Sequence, residues 1–164
     1  MPPTKPEDAK EKIVDAMMKN WEKHRWIHIR AVLDLHTDEA ANRLTAFLTV
    51  HLLLDRALTD LLSLRLLDPR TEEGLEDVAE AVSRVSFKMR VDLAKAARLI
   101  SDSCAINIKA VNVVRNKLAH CPPWDSGGGL GLAPALSSMT NFEECMLKGE
   151  NALNELIKNI GRHS

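Results

Sequence analysis

Apolar residues recur at helical spacing along most of this chain. The pattern begins with Ile13, Met17 and Trp21 and continues toward Leu35. Side chains three and four residues apart share one face of an α-helix. Pro6, which two acidic residues follow, suits a first helical turn. The pattern therefore predicts one long helix within an N-terminal segment, residues 1–36.

A second and more hydrophobic helix is predicted to run to about Leu67. Thr37 or Asp38 is its predicted N-cap, because short polar side chains accept hydrogen bonds from the free N–H groups of a first turn. Leucines occupy more than one face of this segment, as in a central helix that is buried all round. His51 and Asp55, one turn apart, are its polar exceptions. They form either a satisfied polar pair or support for a nearby site.

Breaks in the pattern then define shorter helices. Pro69 ends the second helix, and Thr71 is the predicted N-cap of a third. A bend over 83–86 precedes an amphipathic helix predicted over 87–100. Ser101 with Asp102 caps a fifth helix that runs to about Ala119.

The last part of the chain contains a loop and one more helix. Residues 122–139 hold two prolines followed by three consecutive glycines, which exclude regular structure and predict a flexible loop. Thr140 or Asn141 begins the final helix, which Gly161 ends. The expected fold is an all-α, up-and-down helical bundle of about five to six helices in one domain. Its segments are 1–36, a core over 37–121, the loop over 122–139, and 140–164.

Composition fits this fold and limits the function. The 164 residues are 45% hydrophobic and 27% charged, the net charge is −1, and helix formers dominate while aromatics are only 4%. No basic tail or global positive field indicates nucleic-acid binding, so any contact with RNA must depend on a local patch. The sequence shows no signal peptide and no apolar run long enough to span a membrane, which favours a cytoplasmic protein. Cys104, Cys121 and Cys145 are expected to be free thiols.

Groups suited to phosphate chemistry cluster at the end of the fifth helix. Arg115 offers a planar fork of donors that fits a phosphate, and His120 can give or take a proton near neutral pH. Together they can cleave RNA without a metal. They are separated by ~140° on an ideal helix, so two antiparallel copies at a dimer interface would pair them more easily than one chain. The alternative is a solvated face whose cations favour a helix C-terminus.

Two weaker interpretations concern the first helix. His24 and His28 have a spacing that can bind zinc, and His36 could join them, but no cysteine or carboxylate with ligand spacing does. No metal and no cofactor is therefore expected. Trp21 and Trp26, with nearby cations, form either a local RNA-facing patch or simply a solvated helix edge.

The segment Arg115-Asn116-Lys117-Leu118-Ala119-His120 resembles the R-x4–6-H signature of the HEPN superfamily, and the resemblance covers roughly residues 38–122. It implies an all-α bundle that dimerises through the motif helix. In catalytic members it implies metal-independent endoribonuclease activity, and the matching positions are Arg115, Asn116 and His120. The segment 87–100 resembles the branch related to the mannitol operon repressor, which includes proteins not known to cut RNA. Related toxins often carry a tyrosine where this chain has Pro122, so regulation through that tyrosine is excluded.

Two functions follow as hypotheses. The first is a homodimeric endoribonuclease, a toxin or phage-defence component, that acts on RNA and pairs with an antitoxin or regulatory protein. The second is a non-catalytic helical regulator or interaction module. The residues that we expect to support the catalytic ones are His51, Asp55 and Asn112. The candidate RNA contacts are Lys109, Lys117 and Trp124, the last of which can stack on a base.

Overall fold

The structure is a computed structural model in which residues 6–33, 40–66, 71–120 and 139–162 are described. Side chains are described in these ranges except at 6, 24–33, 40–42, 72, 120 and 139. Six helices and no strand occur in the described ranges, so the predicted all-α bundle is confirmed. The helices are α1 (Pro6–Leu33), α2 (Ala40–Leu66), α3 (Glu72–Ser83), α4 (Phe87–Ala96), α5 (Asp102–His120) and α6 (Met139–Ile160).

Helix α2 is the centre of the bundle, as its apolar faces predicted. Its Leu54, Leu58 and Leu61 are fully buried, and α2 packs against all five other helices. Its largest contact is with α6, and α5 packs against the same helix. Helices α2, α5 and α6 approach one another closely at Gly149 of α6, where an added Cβ would lie 2.5 Å from a methyl carbon of Val50.

Three predicted helix starts are confirmed by their capping hydrogen bonds. The Thr71 hydroxyl accepts from the N–H of Gly74 at 3.0 Å. The Ser86 hydroxyl caps the start of α4. The Ser101 hydroxyl caps the start of α5 by accepting from the N–H of Cys104 at 3.1 Å. Each oxygen satisfies an N–H that has no partner within its own helix. Glu155 of α6 in turn accepts from the backbone N–H of Ser101 at 2.6 Å, which ties the start of α5 to α6.

The end of α4 differs from the prediction. The helix ends at Ala96, not near Ile100. Arg98 has a φ of 57°, in the left-handed region, and the N–H of Leu99 donates to the carbonyl of Ala94 at 2.9 Å. This is the Schellman arrangement that commonly closes a helix, here with an arginine where glycine is usual. Because position 98 is not a glycine, the sequence gives no local signal that the helix ends there.

The interpretation of Trp21 as part of an exposed RNA-facing patch is wrong. Trp21 is 6% exposed, and its indole Nε1–H donates to Asp60 of α2 at 3.0 Å. The Arg56 guanidinium also pairs with Asp60 at 3.1 Å. Burial raises the pKa of Asp60 from its ordinary 3.8, while Arg56 and Trp21 oppose that rise. This buried hydrogen bond fixes α1 against α2.

Several predictions lie outside the described residues. They concern the caps Thr37 and Asp38, residues 122–138 of the loop predicted over 122–139, with Trp124, and the side chains of His24, His28, His36 and His120. The final helix begins at Met139, one or two residues before the predicted start at Thr140 or Asn141, so Met139 belongs to the helix and not to the predicted loop. Cys104 and Cys145 are free and buried, and burial raises the pKa of Cys104 to about 12. No described helix is long and apolar enough to cross a membrane.

Candidate functional site

A groove of about 700 Å³ lies where α2, α4 and α5 meet. Helix α2 contributes Leu48, His51, Leu52 and Asp55 to it. Their spacing of i, i+3, i+4 and i+7 puts all four on one face of the helix. The two polar residues that interrupted the apolar pattern of α2 therefore share one wall with two leucines.

The opposite wall comes from the motif helix α5. Asn112, Arg115 and Asn116 line the groove at spacing i, i+3 and i+4. Arg115 is exposed, and its Nη1 donates to the Oδ1 of Asn116 at 3.2 Å. No carboxylate of the described residues pairs with Arg115, so this guanidinium keeps most of its donors for an anion.

The groove is closed on its third side by the first turn of α4. Arg90 is almost completely buried there, and its Nη2 donates to the Oδ1 of Asp55 at 2.6 Å. Its Nη1 donates to the hydroxyl of Thr59. The guanidinium also lies 5.7 Å from the centre of the Phe87 ring. The charge of Asp55 is therefore neutralised within the protein, so it does not repel an anion strongly.

His51 lies between these walls. Its ring centre is 4.9 Å from that of Phe87, and its Nε2 is buried without a hydrogen-bond partner in the described part of the protein. Burial lowers the pKa of His51 from its ordinary 6.5. The nearby Asn112 amide opposes this effect, and the positive charge of Arg115 adds to it. The imidazole is accordingly neutral at pH 7.

The groove has a positive electrostatic balance. The charges of Asp55 and Arg90 cancel, and His51 is neutral, which leaves the exposed cations Arg115 and Lys88. Such a concave site attracts anions although the whole chain is nearly neutral. The groove is therefore a local positive patch on a chain whose net charge is −1.

The structure brings together five of the predicted site residues, which are Arg115, Asn116, Asn112, His51 and Asp55. Lys109 is not one of them, because it lies outside the groove and pairs with Asp92 of α4 at 2.6 Å. The role of Lys109 as an RNA contact is therefore not favoured by its position. Lys117 is exposed and also lies outside the groove.

Sequence reasoning missed the contribution of α4. Phe87, Arg90, Val91 and Ala94 follow the spacing of one helical face, and Arg90 is the only charged member. An arginine within an apolar stripe signals a buried ion pair, because burying an isolated charge is costly. That signal identifies Arg90 as buried but does not reveal that its partner is Asp55.

The donors in the described residues do not form a metal cage. No group of three histidine, cysteine or carboxylate side chains within that part of the chain could hold a metal ion. In the groove itself, the Asp55 carboxylate is engaged by Arg90, and the remaining polar groups are cations, amides, an imidazole and a hydroxyl. These are groups that recognise phosphates and hydrogen-bonding ligands.

No protein-family model, no curated protein and no solved structure matches this chain.

Proposed function

We propose that this protein is a metal-independent endoribonuclease of the HEPN type that acts as a homodimer. The observation that supports the proposal best is the position of Arg115. This exposed guanidinium has no carboxylate partner in the described residues and lies in a groove with two amides and a neutral imidazole. Two residues of the R-x4-H segment, Arg115 and Asn116, thus line the groove, although both side chains are also exposed to solvent.

The proposed reaction is an internal transesterification of RNA. The 2′-oxygen of a ribose attacks the adjacent phosphorus while the bond to the 5′-oxygen breaks, which gives a 2′,3′-cyclic phosphate and a 5′-hydroxyl. Arg115 binds the non-bridging oxygens and stabilises the charge that develops on them. His120 transfers the proton, either from the 2′-hydroxyl or to the leaving oxygen.

The surface of α5 supports the dimer. Ile106 and Val113 are 66% and 52% exposed and are seven residues apart, so they lie on one side of the helix. Apolar side chains on the motif helix suit a contact with a second copy. In a two-fold dimer, each α5 would meet the same helix of the partner subunit.

The test is cleavage of an end-labelled single-stranded RNA at pH 7 in the presence of EDTA. Arg115→Ala is expected to lower the cleavage rate at least 100-fold, the typical effect of removing one donor to a transition-state oxyanion. His120→Ala should do the same, as expected for a general acid or base. Arg98→Gly is the matched control, because it also removes one exposed cation but lies at the opposite end of the α4–α5 pair. Wild-type cleavage in the His120 variant would contradict the mechanism.

A non-catalytic interaction module is the second candidate. Leu48 and Leu52 are 40% and 67% exposed although they line the groove. Exposed leucines beside polar groups are also typical of surfaces that bind a helix of a partner protein. Absence of cleavage by the purified wild-type protein on a mixed RNA pool would favour this function.

A further inference from the structure

The lining of the groove combines two different chemistries. Leu48 and Leu52 of α2, with Phe87 of α4, provide an apolar surface. Arg115 and Lys88 provide positive charge within the same cavity. A site that binds only a small anion would leave the apolar surface uncovered, and a site that binds only an apolar ligand would leave the cations unpaired. A ligand that uses the whole groove has an apolar part and an anionic part.

We propose that this groove is a subsite for one unpaired nucleotide of RNA, with the phosphate on Arg115 and the base against Leu48 and Leu52. This inference rests on the proposed function for its choice of RNA as the ligand. It goes further, since it assigns the recognition of a base to residues outside the R-x4-H segment. It also assigns one amide, that of Asn112, to the polar edge of that base.

Asn112 suits this role better than Asn116. The Oδ1 of Asn116 already accepts from Arg115 at 3.2 Å, which orients the guanidinium. Asn112 lies one turn before Asn116 on the same face of α5, is half-buried, and is held by a side-chain hydrogen bond with His51 of α2 that leaves the rest of its amide for a ligand. A half-buried amide offers donors and an acceptor in a fixed place, as the reading of a base edge requires.

The size and shape of the groove favour a nucleotide that is not base-paired. Its volume of about 700 Å³ is in the range of sites that enclose one small molecule. In an RNA duplex the bases are stacked and their edges lie in grooves, so duplex recognition depends mainly on the backbone. A base turned out of the stack exposes its faces and edges, so it is free to contact the leucine wall while its phosphate contacts Arg115.

The experiment measures binding of small probes to the wild-type protein by NMR titration at low salt. The probes are the four nucleoside 3′-monophosphates, the corresponding nucleosides and inorganic phosphate. At least one nucleotide is expected to bind ten times more tightly than inorganic phosphate, with a preference among the four bases. Nucleotide affinity no higher than that of phosphate would overturn the inference.

Variants locate the two halves of the subsite. Leu52→Ser should weaken nucleotide binding about five-fold or more and leave phosphate binding unchanged, because Leu52 is 67% exposed and contributes little to the core. The matched control is Leu147→Ser, a leucine of α6 that is 56% exposed and lies outside the groove. Arg115→Ala should weaken nucleotide and phosphate equally, and Asn112→Ala should reduce the preference among bases. Equal nucleotide affinities of the Leu52 and Leu147 variants would refute the assigned wall.

The outcomes separate this inference from the proposed function. Nucleotide binding of the expected pattern without RNA cleavage would support the subsite and refute the endoribonuclease. RNA cleavage that depends on Arg115, combined with a protein that binds phosphate as tightly as any nucleotide, would refute the subsite alone.

Discussion

The pair of Asp55 and Arg90 gives the sharpest stability prediction. The Arg90 side chain is 6% exposed and the Asp55 side chain 40% exposed, and their closest N–O distance is 2.6 Å. In Asp55→Ala, the guanidinium stays buried and keeps its bond to Thr59 but loses its counter-charge. Removing one partner of a buried ion pair costs about 3–5 kcal/mol. We expect a loss of about 3 kcal/mol, because Asp55 is partly exposed and water can replace part of the lost interaction.

The matched control is a second ion pair between α4 and α5. Lys109 and Asp92 also approach to 2.6 Å, but both side chains are nearly half exposed, at 45% and 43%. Exposed pairs of this kind are screened by water and contribute little to stability. Asp92→Ala should therefore have a small effect although the distance and the charges are the same. The difference between the two variants isolates the effect of burying the arginine.

Urea denaturation followed by far-UV circular dichroism measures both free energies of unfolding. A loss of about 3 kcal/mol also corresponds to a fall of roughly 6–12 °C in Tm for a chain of this size. The double variant Asp55→Ala with Arg90→Met should regain much of the loss, since it removes the buried charge as well. Equal destabilisation by Asp55→Ala and Asp92→Ala would refute the reasoning. If stable Asp55 variants also cleave RNA normally, Asp55 has a structural role only.

Three further predictions concern the backbone and a buried acid. Arg98→Gly should stabilise the fold by about 0.5–1 kcal/mol in urea denaturation, because glycine adopts the left-handed φ of 57° without strain. Gly149→Ala should destabilise it by about 1–3 kcal/mol in the same assay, since the new Cβ would overlap Val50. The pKa of Asp60 is raised in the folded protein, so the folded state binds the Asp60 proton more tightly than the unfolded state does. The protonated carboxyl therefore stabilises the fold at low pH, and this stabilisation is lost as the pH rises from 3.8 through the folded pKa. Asp60→Asn, which keeps an acceptor for Trp21, should remove that pH dependence of the urea midpoint.

The local features of the fold were predictable from the sequence. The helical spacing of apolar residues and the hydroxyl caps at Thr71 and Ser101 depend on residues within one or two turns of each other. They can therefore be recognised from the sequence alone. The central position of α2 followed from its apolar faces. The early end of α4 was missed because Arg98 gives no sign that it adopts the conformation usual for glycine.

Contacts between distant residues were not predictable in the same way. Trp21 and Asp60 are 39 residues apart, and Asp55 and Arg90 are 35 apart. Each residue alone is compatible with a solvated face, and only the packing of two helices shows that it is buried. Cations near Trp21 in the sequence suggested an exposed edge, but a hydrogen bond to the buried Asp60 outweighs that local tendency.

The location of the groove also leads to a test of the shared active site. Arg115 faces the groove with Asn112 and Asn116, and α5 ends at His120, five residues and ~140° further round the helix. This rotation favours a partner subunit as the source of the imidazole. We consider equal amounts of Arg115→Ala and His120→Ala chains that are refolded together. About half of the dimers would then contain one chain of each kind, and each such dimer would have one intact site and one inactive site. About a quarter of wild-type cleavage should return. If both groups act within one chain, no subunit in the mixture is complete, and cleavage stays at the level of the single variants.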